Sequence, residues 1–169
     1  MRIAVISDTH IGDRCREVPS GVWDLVDQAD AVVHLGDFTQ ESFARKLKKR
    51  CRLYAVSGNA DPYSLRCILP PTRIVEFGGV RAILMHRFAG PWPLALSRAA
   101  NFGRLGISLV LFGHTHRPEN ISIDNVRLLN PGSAGDGRRT RGVLTAGLLE
   151  LDGSRFTWEL CPLGREVLV

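Results

Sequence analysis

The run Leu109-Val110-Leu111-Phe112-Gly113-His114-Thr115-His116 narrows the choice of fold more than any other stretch of the chain. Four apolar residues of strand character end in a glycine, and two histidines follow at i and i+2. In an extended backbone, residues two apart point to the same side, so both imidazoles are expected to face one point beyond the strand end. Gly113, lacking a Cβ, lets the chain turn tightly before them. Two such histidines could be a hydrogen-bonded pair. A metal site short of its remaining ligands is the better reading.

Other apolar runs supply candidates for the missing ligands. Ile3 to Ser7 leads into Asp8-Thr9-His10, again with ligand-type residues at i and i+2. Ala31 to Leu35 leads into Gly36-Asp37, Leu53 to Ser57 into Gly58-Asn59, and Val80 to Met85 into His86. Each run delivers an oxygen or nitrogen ligand at its carboxyl end, where open α/β sheets place their sites. The chain has five histidines, and all lie at or beside these ends. Unrelated core or surface histidines would not sort in this way.

Asp8-x-His10, Gly36-Asp37, Gly58-Asn59, His86 and Gly113-His114-Thr115-His116, in that order, resemble the signature of the calcineurin-like metallophosphoesterases. The small size, the spacing and Asn130-Pro131-Gly132-Ser133 are similar to the minimal bacterial and archaeal phosphodiesterase branch. The resemblance implies a four-layer α/β sandwich, with two mixed β-sheets flanked by helices, over a single domain of residues 1–169. It also implies a phosphodiesterase that cleaves small or activated phosphate diesters by attack of a metal-bridging hydroxide. Asp8, His10, Asp37 and His116 would hold one metal, and Asp37, Asn59, His86 and His114 the second. Asp37 would bridge, because a carboxylate has two oxygens and several lone pairs. His10, Asp37 and Asn59 would be the catalytic residues, with Asn59 also touching a phosphate oxygen.

Imidazole and carboxylate donors suit manganese, iron or zinc better than magnesium or a thiolate-loving ion. Manganese is expected by resemblance, with iron, zinc or nickel as alternatives. Two divalent ions against two carboxylates leave a cationic site, which suits a hydroxide and a phosphate ester.

Two positions depart from the family pattern. Many relatives carry a histidine after the Gly-Asn pair, where it helps protonate the leaving group, and here Ala60 stands there. Arg87 replaces the glycine that commonly follows the histidine at position 86. Arg87 and Arg117 are candidates for substrate binding, with solvent-exposed side chains as the alternative. His34, three residues before Asp37 and inside a strand, reads as a packing residue or a support for the ligands. Asp61 is a candidate to hold a ligand histidine in place.

Residues 2–7, 31–35 and 53–57 are expected strands, the first buried on both faces. Ser20 is placed to cap a helix carrying Val22, Trp23, Leu25 and Val26, and Thr39 a helix from Glu41 to Arg50. Residues 60–73 read as irregular. Hairpins are expected around Gly78-Gly79, Asp124-Asn125 and Asp152-Gly153, and a helix opened by Pro91 and Pro93 runs to about Arg104. The polar loop 11–19, with Asp13, Arg14, Arg16 and Glu17, either rims the pocket or merely joins strand to helix. Loops 11–19, 60–73 and 87–93 would carry substrate specificity.

With 169 residues, 44% hydrophobic and 23% charged, the chain has the make-up of an ordinary globular domain that buries about 70% of its unfolded surface. Lysine and arginine number 22 against 17 acids, a net charge of +5. Nearly all are arginines, which suit bidentate phosphate contacts, although a general bias towards arginine would look the same. No basic run is interleaved with aromatics, which argues against a dedicated nucleic-acid partner. Cys15, Cys51, Cys67 and Cys161 are widely spaced and read as free thiols in a reducing compartment. The short apolar run before Asp8 fits neither a signal peptide nor a membrane span, so a cytoplasmic location is expected. A homo-oligomer is possible. The alternative functions are a protein-interaction scaffold, as in a retromer subunit of this fold with an impaired hydrolytic site, and a nuclease. The complete ligand set weighs against the scaffold, and the lack of DNA-gripping domains against the nuclease.

Overall fold

The computed structural model describes residues 1–88 and 92–165, the side chains of residues 92–95 excepted. Three βα units open the chain: β1 (Arg2–Ile6), α1 (Ser20–Asp27), β2 (Ala31–His34), α2 (Glu41–Arg50), β3 (Arg52–Ala55) and α3 (Tyr63–Ile68). Then come β4 (Thr72–Phe77), β5 (Val80–Met85), α4 (Trp92–Arg104) and β6 (Leu109–Phe112). Two hairpins close the described chain: β7 (Pro118–Ile123) with β8 (Val126–Pro131), and β9 (Val143–Asp152) with β10 (Arg155–Arg165).

The strands form two five-stranded mixed sheets, in the orders β10-β9-β1-β2-β3 and β4-β5-β6-β8-β7. Within the first, β1, β2 and β3 run parallel. Within the second, β5, β6 and β8 run parallel. The two central strands, β1 and β6, are therefore the ones that carry paired ligand candidates at their carboxyl ends.

Side-chain alternation along these strands generates the layers. Ile3 and Val5 of β1 join Leu84, Leu109 and Leu111 of the second sheet in the core between the sheets. Ala4 and Ile6 face the other way and pack with Val22, Val26, Phe43 and Leu47 of α1 and α2. Val110 and Phe112 pack outward with Ala99 of α4. The result is the expected helix–sheet–sheet–helix sandwich. Fully buried Leu111 illustrates the packing energy: truncation to alanine at such a site costs about 2–5 kcal/mol.

Local details differ from the sequence reading. Ser20 lies inside α1, and Pro19 is the N-cap, with φ of −53° and no side-chain capping bond. The ring of Pro19 fixes that entry angle, so no hydroxyl cap is needed. Thr39 does not cap α2. It has φ of 65°, and its hydroxyl donates to the Ile11 carbonyl at 2.6 Å, while Gln40 holds the N-cap position. Residues 60–73 are not wholly irregular, because α3 follows Pro62. Six residues are too few for a helical period to show above the prolines around them. Pro91 lies outside the described residues, as does the whole 89–91 part of loop 87–93.

Candidate metal centre

The six parallel strands end along one edge of the sandwich. Backbone hydrogen bonds extend the ladders past the strand ends: Asp8 N–H to Gly36 O at 3.1 Å, His10 N–H to Asp37 O at 3.0 Å, and Gly113 N–H to His86 O at 3.0 Å. Ala134, beyond β8, donates to Ser7 O at 3.0 Å and ties the second sheet to the first. The edge is therefore stitched together by main chain before any ligand arrives.

Two clusters of ligand-type atoms result, Asp8 with His10 and His116, and Asp37 with His86 and His114. In the first, His116 Nε2 lies 3.2 Å from Asp8 Oδ1 and 3.4 Å from His10 Nε2. In the second, His86 Nε2 lies 3.4 Å from Asp37 Oδ2 and 3.1 Å from Asn59 Oδ1. Asp37 Oδ2 is also 3.5 Å from His10 Nε2. One oxygen of Asp37 thus faces both clusters.

The donors fit divalent ions on an internal criterion. Ser7 Oγ and the His114 N–H, the latter at 3.0 Å, both donate to Asp8 Oδ2. Asp8 Oδ1 is buried with no hydrogen-bond partner, a costly state unless a cation completes it. Asp37 shows the same division of labour: Oδ1 accepts the Ala60 N–H at 2.7 Å and Oδ2 is left for the clusters. His86 donates Nδ1–H to Leu35 O at 2.8 Å, which leaves its Nε2 lone pair directed inward.

Electrostatics match this division. Burial acts to raise the Asp8 pKa, but the adjacent His116 imidazole, the His86 ring and the Ser7 hydroxyl outweigh it, so the pKa is lowered. Burial opposes ionisation of Asp37 too, yet His86, the Ala60 N–H and His10 hold it at about 2. Burial lowers the pKa of His10, against the pull of Asp37 and Asp8. Burial, Arg87 and His86 lower that of His114. His86 goes up: burial acts against its charge, and the Asp37 and Asp8 carboxylates with the Leu35 carbonyl prevail. Ionised carboxylates beside imidazoles held neutral, as His10 and His114 are, are the form that binds metal.

The backbone reaches this arrangement through strain. Asp8, His10, Asp37, His114 and His116 all have positive φ, between 47° and 70°, among eight such non-glycine residues described. Strain of this kind concentrates at functional sites. It also corrects the extended-strand picture of His114 and His116. Left-handed turns at both residues send His116 to the Asp8 cluster and His114 to the Asp37 cluster. Gly113 is required for a different reason than a tight turn: a Cβ there would collide with Ser7 Oγ and Asp8. Likewise a Cβ on Gly58 would strike Asp37.

The sequence matches the calcineurin-like phosphoesterase superfamily domain over residues 1–154. The chain belongs to that superfamily. A probable metallophosphoesterase of Methanothermobacter thermautotrophicus is 32% identical over 168 residues, covering 99% of this chain and 95% of the relative. Zinc-complexed Vps29 of Entamoeba histolytica has the same fold, with a TM-score of 0.76 at 23% identity, covering 97% of this chain and 100% of that one. An archaeal phosphodiesterase gives 0.72 at 24% identity, covering 95% and 99% of the two chains.

In this calcineurin-like phosphoesterase the two clusters open into a cavity of about 440 Å³. His10, Asp37, Asn59, Ala60, His114 and His116 line it, together with Arg14, Arg138 and Arg139. Loop 11–19 therefore does rim the pocket, through Arg14. Arg138 and Arg139 did not stand out in the sequence, and neither did Asp136. The signal was β8, a sixth parallel strand whose carboxyl end carries residues 132–137 to the same edge.

Asp136 is buried. It accepts from Arg14 at 2.8 Å and from Arg138 Nε and Nη2 at 2.9 and 2.8 Å. Its Oδ2 stands 3.4 Å from His116 Nδ1. That nitrogen lacks a hydrogen bond of good geometry, so the contact is one of charge and ring. Asp13 stands in the same relation to His10 Nδ1, at 3.6 Å, and Arg14 Nε donates to Asp13 at 3.2 Å. A single guanidinium thus joins the carboxylates behind both histidines of the Asp8 cluster.

The remaining sequence candidates find specific places. Arg87 forks onto Asn59 Oδ1 at 3.1 and 2.9 Å. Arg117 is exposed and stands outside the cavity lining. Asp61 holds no histidine: its carboxylate accepts the N–H groups of Gly58 at 2.7 Å, Thr39 at 3.0 Å and Asp37 at 3.2 Å. It pins the loops that carry Asp37 and Asn59 together. His34 is fully buried and stacked on Phe38, with centroids 3.5 Å apart. Its Nδ1 accepts the Gly36 N–H at 3.3 Å, so Nε2 carries the proton and donates to Thr9 Oγ1 at 3.2 Å.

Proposed function

We propose that the protein is a dinuclear metal-dependent phosphodiesterase. The observation that carries this reading is Asp37 Oδ2, which faces His10 of one cluster and His86 of the other. Asp8, His10 and His116 with Asp37 would hold one ion, and Asn59, His86 and His114 with Asp37 the other. Manganese suits this donor set, and zinc, present in the Entamoeba Vps29 structure, is the alternative, with iron or nickel chemically compatible. Two such ions supply a water-derived nucleophile at neutral pH and polarise the phosphoryl oxygens.

The chain's residues do the positioning. Asp61 holds the Asp37 and Gly58 loops at fixed separation, so both clusters keep their spacing. Arg87 donates to the Asn59 carboxamide oxygen; with that oxygen turned to the ion, the guanidinium and the carboxamide N–H groups would be left to meet a phosphate oxygen. Ala60 contributes only its backbone N–H, so no side chain at that position donates a proton to the leaving oxygen. The buried orphan oxygen of Asp8 favours an enzyme over a scaffold, since a scaffold gains nothing from that cost.

The test is turnover of nitrophenyl phosphodiesters and phosphomonoesters after loading with manganese, against chelated protein. Diesters should give the higher kcat/KM, because the chain has no insertion large enough to cap a monoester dianion. No turnover with any divalent metal, or a preference for monoesters, overturns the reading.

A further inference from the structure

We infer that the arginine wall of the cavity is a second anion subsite, so that the substrate is a phosphodiester bearing another phosphate group. This rests on the phosphodiesterase reading and extends it to substrate class. The wall is Arg14, Arg138 and Arg139, all lining the same cavity as the ligand histidines.

Charge balance points to a second anion. Two divalent ions against Asp8 and Asp37 leave two positive charges, which a nucleophilic hydroxide and the single charge of a diester cancel. The wall is then left over: three guanidiniums against Asp13 and Asp136. One positive charge remains, beside a centre that the scissile group has already neutralised. Like charges gathered in a concave site are unfavourable unless an anion joins them.

The donors are also available and partly oriented. Arg14 is committed to Asp13 through Nε and to Asp136 through Nη1. Arg138 uses Nε and Nη2 on Asp136, which fixes its plane and leaves Nη1 to donate. Arg139 makes no hydrogen bond or ion pair among the described residues. A planar fork held by a buried carboxylate, next to a free one, is a preorganised phosphate receptor. The cavity is larger than one phosphoryl group needs and falls within the range of small-molecule sites.

Two pairs of probes test this on manganese-loaded protein. The first, read by calorimetry, is thymidine monophosphate against thymidine bisphosphate, which carries phosphates on both sugar hydroxyls. The second, read by turnover, is the nitrophenyl ester of thymidine monophosphate with and without the second phosphate. The bisphosphate should bind at least about tenfold tighter, the scale of one charge-assisted contact. The phosphorylated ester should show a correspondingly lower KM with similar kcat. In Arg139→Gln and in Arg138→Gln/Arg139→Gln both preferences should fall towards one. Arg139→Gln disturbs no described partner, so its loss of preference is not a folding effect. Equal binding of the two nucleotides by the parent overturns the subsite, and so does a preference that survives both variants. If neither ester is turned over, the phosphodiesterase reading fails while the calorimetry still decides the subsite.

Discussion

His116 Nδ1 stands 3.4 Å from the buried Asp136 carboxylate, on the side of the ring opposite to Asp8. Asp13 repeats the relation with His10, and Arg14 joins the two carboxylates. Carboxylates behind ligand histidines fix ring orientation and raise the basicity of the inward nitrogen. Asp136→Asn should therefore weaken metal binding at the Asp8 cluster by about 10–100-fold, leaving the Asp37 cluster nearly unchanged. Stepwise calorimetric titration with manganese separates the two. Equal losses at both clusters would mean that Asp136 serves general stability only.

Asp37 has its Oδ1 on the Ala60 N–H and its Oδ2 between the clusters. Asp37→Asn removes the shared charge while keeping the shape. Metal content should drop from two ions per chain to one or none, and turnover by at least about a thousandfold, equivalent to several kcal/mol of lost charge stabilisation. Elemental analysis showing two ions with undiminished turnover would refute the bridging role.

Ala60 offers no acid to the leaving oxygen. General acid catalysis is typically worth about 10²–10⁴-fold, and its absence should penalise poor leaving groups most. Aryl diesters should turn over far faster than alkyl diesters, with the rate falling steeply as leaving-group pKa rises. Ala60→His should flatten that slope and leave aryl rates nearly unchanged. A shallow slope in the parent would reveal another donor.

Burial pushes the His34 imidazole down to about 3, from an ordinary 6.5. Between these values the unfolded chain binds a proton that the folded chain refuses, so stability rises with pH across that window. The contribution is complete above about pH 6.5 and is lost as pH falls towards 3. His34→Leu lacks it. In chelator, the stability advantage of the parent over the variant should shrink by on the order of 2–3 kcal/mol between pH 7 and pH 4. Urea unfolding at several pH values measures the gap, and parallel curves would contradict it.

Much of this was legible in the chain alone. The ligand candidates sit directly after apolar runs, and strand periodicity with Gly-Asp, Gly-Asn and Gly-His endings is a local signal that needs no partner to be seen. The alternation of Ile3 and Val5 with Ala4 and Ile6 likewise fixes two buried faces, and so a layered fold. What the sequence could not show are relations made by loops of no regular period. Asp136 reaches His116 because β8 runs parallel to β6 and ends at the same edge. Arg14 reaches Asp136 across 122 positions because Ala134 is tied to Ser7. Asp61 turned out to hold backbone amides where a histidine was expected, since burial left those N–H groups in need of an acceptor. Local pattern chose the ligand candidates and the layers. Only the meeting of two sheet edges decided which carboxylates stand behind the histidines and which arginines wall the cavity, because those contacts exist only once the long-range pairing of strands has formed.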